Sequence, residues 1–176
     1  MTIRRTATSV MAGCAATLAL ISTGVGTAEA RVAKETATVS SAATSSVELA
    51  SLTRYYNGSK HWSTTGTAPG GKYAVEGKVA ILATQAEGSV PIYSCLAGHA
   101  PLDQFLSHHR SCEGDRNAFL RLEGYVYSSP VPGFTQPIYR CHWGKSQSHF
   151  FSVASDCEST GANPIKSEFR LGYVKR

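Results

Sequence analysis

The series Pro137-Ile138-Tyr139-Arg140-Cys141, His149-Phe150-Phe151-Ser152, Cys157-Glu158 and Leu171-Gly172-Tyr173-Val174 decides the fold, because the chain carries nearly the same series once before. There it reads Pro91-Ile92-Tyr93-Ser94-Cys95, Gln104-Phe105-Leu106-Ser107, Cys112-Glu113-Gly114 and Leu122-Glu123-Gly124-Tyr125-Val126-Tyr127. A divergent copy precedes both, with Leu52-Thr53-Arg54-Tyr55-Tyr56, His61-Trp62-Ser63-Thr64 and Val75-Glu76-Gly77-Lys78-Val79. Self-similarity at a fixed period marks a repeat architecture. The three units run over about 52–87, 90–131 and 136–176. In each, short runs of β-branched and aromatic residues end at glycine or proline, the pattern of strands. Val75 to Leu82, Leu120 to Tyr127 and Phe169 to Val174 are predicted strands, Asn57-Gly58 a tight primed turn, and Asp115 to Leu120 a short helical turn. Three such units predict an all-β, pseudo-threefold domain of β-trefoil-like build.

The 176 residues suffice for one domain of ordinary size, and a charged fraction of 16% with 42% hydrophobic residues excludes a disordered or collagen-like chain. Residues 1–30 read as a secretory signal peptide, with Arg4-Arg5, an apolar stretch from Val10 to Val25, and Ala28-Glu29-Ala30 as the cleavage site. Its removal takes out Arg4, Arg5 and Glu29 and leaves 15 basic against 11 acidic residues. The product is mildly cationic and is expected to be extracellular. No other stretch approaches the length of apolar sequence that spans a bilayer, and the basic residues form no dense stripe of the kind that grips a nucleic-acid backbone.

With Cys14 removed, Cys95, Cys112, Cys141 and Cys157 remain in a chain bound for an oxidising space. Four cysteines allow three pairings. The matched separations, 17 positions from Cys95 to Cys112 and 16 from Cys141 to Cys157, favour a disulfide inside each of the last two units. The first unit lacks both partners, which agrees. Residues 31–50, rich in Ser, Thr and Ala, are too polar and small to build a core. They are expected to form a flexible arm, with Val32, Val39, Val47 and Leu49 as the side chains that would dock if the arm adds a strand to a partner.

The cadence Tyr-Arg-Cys, His-Phe-Phe-Ser, Cys-Glu, Gly-Tyr-Val resembles a family of secreted bacterial repeat domains of unknown function. The resemblance covers about residues 52–176. It departs from the family pattern at Ser148, which replaces the family's acidic residue before His-Phe, and in the degenerate first unit. Modules of that family often accompany secreted hydrolases as accessory domains, which implies binding more than catalysis. The organisation, a small repeat body behind a polar arm, is also similar to the adaptor subunit of umbrella-type secreted antibacterial toxin particles.

Among candidate site residues, Trp143 stands out because its counterparts are Ala97 and Asn57, so the repeat does not require it. With His142 beside it and Tyr56 in the first unit, it is a candidate for stacking on a sugar or anchoring a protein. His61 and His149 hold one strand position in two units and suggest a shared hydrogen bond. Adjacent His108-His109 would point to opposite faces of a strand and were this a zinc site would be poorly placed, so no metal and no cofactor is expected. Glu76 and Glu123, each before a glycine, read as strand-end residues. No G-x-S-x-G, H-E-x-x-H or P-loop occurs, and enzymatic activity is not expected. The sequence therefore predicts a secreted binding protein. Its first reading is an adaptor for secreted protein partners, and its second a lectin-like module for cell-wall or surface carbohydrate.

Overall fold

A computed structural model describes residues 47–100 and 102–176. Residues 1–30, read as a signal peptide, and Val32 and Val39 of the expected arm lie outside the described residues. The fold is all-β: β1 (Leu49–Tyr56), β2 (His61–Thr64), β3 (Ala74–Leu82), β4 (Ser89–Leu96), β5 (Gln104–Ser107), β6 (Ala118–Tyr127), β7 (Gln136–Trp143), β8 (Ser148–Ser152) and β9 (Lys166–Val174). No helix occurs among the described residues, and Asp115 to Leu120 is a turn that runs into β6.

Each sequence repeat is one antiparallel triplet with its first strand in the middle: β1 between β2 and β3, β4 between β5 and β6, β7 between β8 and β9. The triplets join through the inner ends of their third strands. Leu82 pairs with Tyr125, Tyr127 with Tyr173, and Lys175 with Ala80. Register makes Ala80, Tyr125 and Tyr173 equivalent, and likewise Leu82, Tyr127 and Lys175. The second and third units show why they keep glycine here: a Cβ on Gly124 would stand 2.5 Å from Leu82 O, and one on Gly172 2.7 Å from Tyr127 O. Both also hold φ near 148–149°, where L side chains are strained.

The same register supplies the core. Leu52, Ile92 and Ile138, at one repeat position, are fully buried, as are Ile81, Val126 and Val174 at another. Alternation along each strand sends these residues inward together. The disulfides Cys95–Cys112 and Cys141–Cys157 both form inside their units, with Cα separations of 5.6 and 5.7 Å, and all four cysteines are buried.

Three local readings of the sequence need correction. Leu49, assigned to the arm, is the first residue of β1 and pairs with Leu82, so the folded body begins inside the 31–50 segment; Val47 precedes it and is 52% exposed. The Asn57-Gly58 connection is not a two-residue primed turn. Only Gly58 has positive φ, and the Asn57 side chain accepts the amides of Ser59 and Lys60 at 3.0 and 2.7 Å, an Asx turn that lengthens the loop. Glu76 and Glu123 are not equivalent either. Glu76 is skipped by the bulge at Arg54/Tyr55, as Glu168 is at Arg140/Cys141, whereas Glu123 occupies a second bulge that the first unit lacks.

Candidate functional site

The strand register places Arg54, Ser94 and Arg140 at one position of the three units. The two arginines are buried or nearly so, and each reaches across to another unit, Arg140 to the second and Arg54 to the third. Arg140 donates to both oxygens of Glu113, at 2.7 and 3.0 Å, and to Leu106 O at 3.1 Å. Arg54 does the same with Glu158, at 2.7 and 3.3 Å, and with Phe151 O at 3.0 Å. Each guanidinium also lies over an aromatic ring, Phe105 or Phe150, at 5.3 and 5.2 Å.

This geometry explains the repeated Cys-Glu. Cys112, Glu113, Cys157 and Glu158 all adopt left-handed φ of 55–62°, an unusual state for non-glycine residues. The disulfide pins the cysteine, and the next residue's carboxylate turns back to accept from Ser107 or Ser152 and forward to meet the arginine. Arg54 and Ser152 hold Glu158 below the ordinary carboxylate range. Burial pushes Glu113 up, but its hydrogen bonds from Arg140 and Ser107 prevail and leave it lowered.

At the third junction both partners are missing together. The second unit has Ser94 where the arginine would be, and the first unit has no Cys-Glu. Glu123 fills the gap: nearly inaccessible, it accepts from the hydroxyls of Ser94, Thr64 and Thr65 and from Thr65 N. Glu123 lies within β6 and not at the strand end that the sequence predicts, and its hydrogen bonds tie the second unit to the first.

A cleft of about 180 Å³ opens beside the Arg54 junction, lined by Arg54, Tyr56, His61, Glu76, Trp143 and Glu158 among others. The structure thus brings together Tyr56 and Trp143, whose rings are 6.4 Å apart. Trp143 is not a free loop residue. It ends β7, is half-buried against the Cys141–Cys157 disulfide and Phe150, and its Nε1 finds no acceptor among the described residues. His61, on the cleft wall, stacks on Tyr56 at 4.6 Å and contacts Ser148 Oγ through Nδ1 at 3.0 Å. Burial, with the charge of Arg54, lowers its pKa to about 4. Glu76, raised by burial, sits 3.1 Å from Arg54 Nε and 3.4 Å from His61 Nε2.

His142 does not join this cleft. It faces the other way, stacked on His149 at 4.4 Å, beside the buried Asp103. His61 and His149 are equivalent as expected, each with Nε2 3.4 Å from its unit's bulge glutamate, Glu76 or Glu168; they differ in the Nδ1 partner, Ser148 for the first and Asp103 for the second. His108 donates to or accepts nothing from a second histidine; its Nδ1 lies 2.9 Å from Pro91 O.

One surface escaped the sequence reading. Residues 118–122 of β6 pair with β4 on one side, and among the described residues no strand pairs with the other. All five are exposed, including Phe119 (41%), Leu120 (39%) and Leu122 (38%). The matching stretches of β3 and β9, Ala74-Val75-Glu76-Gly77-Lys78 and Lys166-Ser167-Glu168-Phe169-Arg170, carry charges at the positions of Leu120 and Leu122. Charges on an edge discourage pairing with other chains. The alignment of Leu120 with Glu76 and Glu168 was the available signal, and the slipped alignment of Glu76 concealed it. No protein-family model, curated protein or solved structure matches the chain.

Proposed function

We propose that the protein is a secreted, non-catalytic binding protein of pseudo-threefold, β-trefoil-like build that serves as an adaptor between protein partners in an extracellular assembly. The reading is carried by the unpaired apolar half of β6. Its free backbone amides and carbonyls suit an extended polypeptide, which can complete the ladder while burying Phe119, Leu120 and Leu122; a sugar cannot do the first. Arg110, whose guanidinium lies 5.1 Å from the Phe119 ring, and exposed Arg116 and Arg121 surround the edge with positive charge. The occupant is therefore an apolar strand with acidic flanks. The two disulfides fit an oxidising location, and the arm, with Val47 leading into β1, supplies a second point of attachment.

The test is purification of the tagged chain from the medium of the cells that secrete it, beside the variant Leu120→Glu/Leu122→Lys. That variant gives β6 the charges that β3 carries at Glu76 and Lys78 and leaves the buried face untouched. A stoichiometric secreted protein recovered by the parent and lost from the variant, with unchanged circular dichroism, supports the reading. Recovery of the parent alone, or equal recovery by both, overturns it.

Tyr56 and Trp143, converging with Arg54, Glu76 and Glu158, favour a second reading as a carbohydrate-binding module, since stacked rings beside planar polar groups suit a sugar ring. Glycan-array binding that is lost in Tyr56→Ala would support it, and an array without signal would remove it.

A further inference from the structure

Between the second and third units, Asp103, His142 and His149 bring one carboxylate oxygen and two imidazole nitrogens within 4.8 Å of one another. Asp103 is 1% exposed, yet its carboxylate is met by a single residue: His149 donates its backbone N–H to Oδ1 at 2.8 Å and places Nδ1 2.9 Å from Oδ2. A buried carboxylate ordinarily gathers more partners than this, as Glu123 does at the neighbouring junction. His142 is half-buried, its ring lies flat on the His149 ring, and that ring makes no hydrogen bond among the described residues. Asp103 and His142 are thus underused by the protein itself, while His149 is engaged at both ring nitrogens.

The rest of the arrangement is that of a ligand set with support. His149 Nε2 faces Glu168 Oε2 at 3.4 Å, and Glu168 is fixed by Arg140 Nε at 2.6 Å. A carboxylate behind the far nitrogen of a ligating histidine orients the ring and fixes its tautomer. His142 and His149 are directly cross-strand on β7 and β8, so the hairpin holds both rings on one face. The corresponding positions at the Arg54 junction carry Tyr56, His61 and Ser148, which offer only one imidazole and no carboxylate. The repeat fold therefore does not require this trio.

We propose that Asp103, His142 and His149 form a binding site for one divalent transition-metal ion of the zinc class, with further positions open to water. Two neutral imidazoles and one carboxylate match that class, which takes nitrogen at about 2.0–2.1 Å and carboxylate oxygen at about 2.0–2.2 Å. The donors must close in by roughly an ångström to meet those lengths, a movement that the half-exposed His142 ring can supply. The site is separate from the β6 edge and does not depend on the adaptor reading.

Isothermal titration of the untagged, disulfide-intact chain with Zn²⁺, repeated with Co²⁺ and its visible absorption, tests the site. One equivalent is expected to bind. His142→Tyr and Asp103→Ser, which install the residues of the sister junction, are expected to weaken binding at least tenfold while the circular dichroism spectrum stays that of the parent. Should Asp103→Ser fail to fold, His142→Tyr decides alone, because its ring lies outside the core. Absence of binding by the parent at about 100 μM metal overturns the proposal, and so does equal affinity in parent and His142→Tyr, which would place the ion on His99, His108 or His109 at the surface.

Discussion

His61 offers the sharpest test of how the junctions are held. Its ring is 7% exposed, packed between Tyr56 and Phe150 with centroid separations of 4.6 and 4.5 Å, and it lies near the guanidinium of Arg54. Burial first and Arg54 second disfavour the imidazolium; Glu158 opposes them and loses. The folded pKa of about 4 against 6.5 in the unfolded chain means that the unfolded state binds more protons between these values. Stability is therefore highest above pH 6.5, falls as the pH drops, and stops falling on this account below about pH 4. At 1.36 kcal/mol for each unit, the full loss is about 3 kcal/mol. His61→Gln places the residue type of the equivalent Gln104 in the same position and removes the titration. Urea unfolding followed by tryptophan fluorescence at steps from pH 7.5 to 4 gives the stability difference between parent and variant. The difference should shrink or reverse by about 3 kcal/mol across that range, while titrations common to both proteins cancel. A difference that stays flat to within about 0.5 kcal/mol would show that Glu76 and Glu158 compensate burial, and the account of the Arg54 junction would be wrong.

Glu123→Ala should cost about 3 kcal/mol in urea unfolding, because the hydroxyls of Ser94, Thr64 and Thr65 and the amide of Thr65 all lose their acceptor inside the fold; a cost below about 1 kcal/mol would mean that water replaces the carboxylate. Replacing Cys141 and Cys157 together by serine should lower stability by about 3 kcal/mol, and the Cys95/Cys112 pair by a similar amount, since the loops they close have nearly equal length. Gly172→Ala should destabilise by about 2–3 kcal/mol, as its methyl would meet Val126 Cγ2 at 2.5 Å with φ held at 149°. Gly144→Ala, with open space around its added methyl and no positive φ, is the control and should change stability by less than about 0.5 kcal/mol.

What the chain discloses about itself follows from which interactions are local. Cysteine spacing, strand content and three units could be read directly, because a repeated motif needs no knowledge of how copies meet. The junctions were not legible in the same way. Arg140 and Glu113 look unrelated until β7 is known to lie against the end of the preceding unit, and Cys-Glu reads as a disulfide mark with a passenger acid. Once the contact is known, the absence of arginine at Ser94 and of Cys-Glu in the first unit becomes one loss seen from both sides, repaired by Glu123. The slipped alignment of Glu76 has the same origin: the first unit lacks one bulge residue, and a sequence match anchored on glycine absorbs that gap by shifting the strand. With the shift corrected, Leu120 faces the positions of Glu76 and Glu168, and the apolar β6 edge becomes the feature that sets the second unit apart. Divergence among the copies is therefore where the proposed binding surfaces lie. What the three units share, Leu52, Ile92 and Ile138 with Ile81, Val126 and Val174, is spent on the core; Trp143, Leu120 and Asp103, where they differ, are positions that this shared core does not dictate.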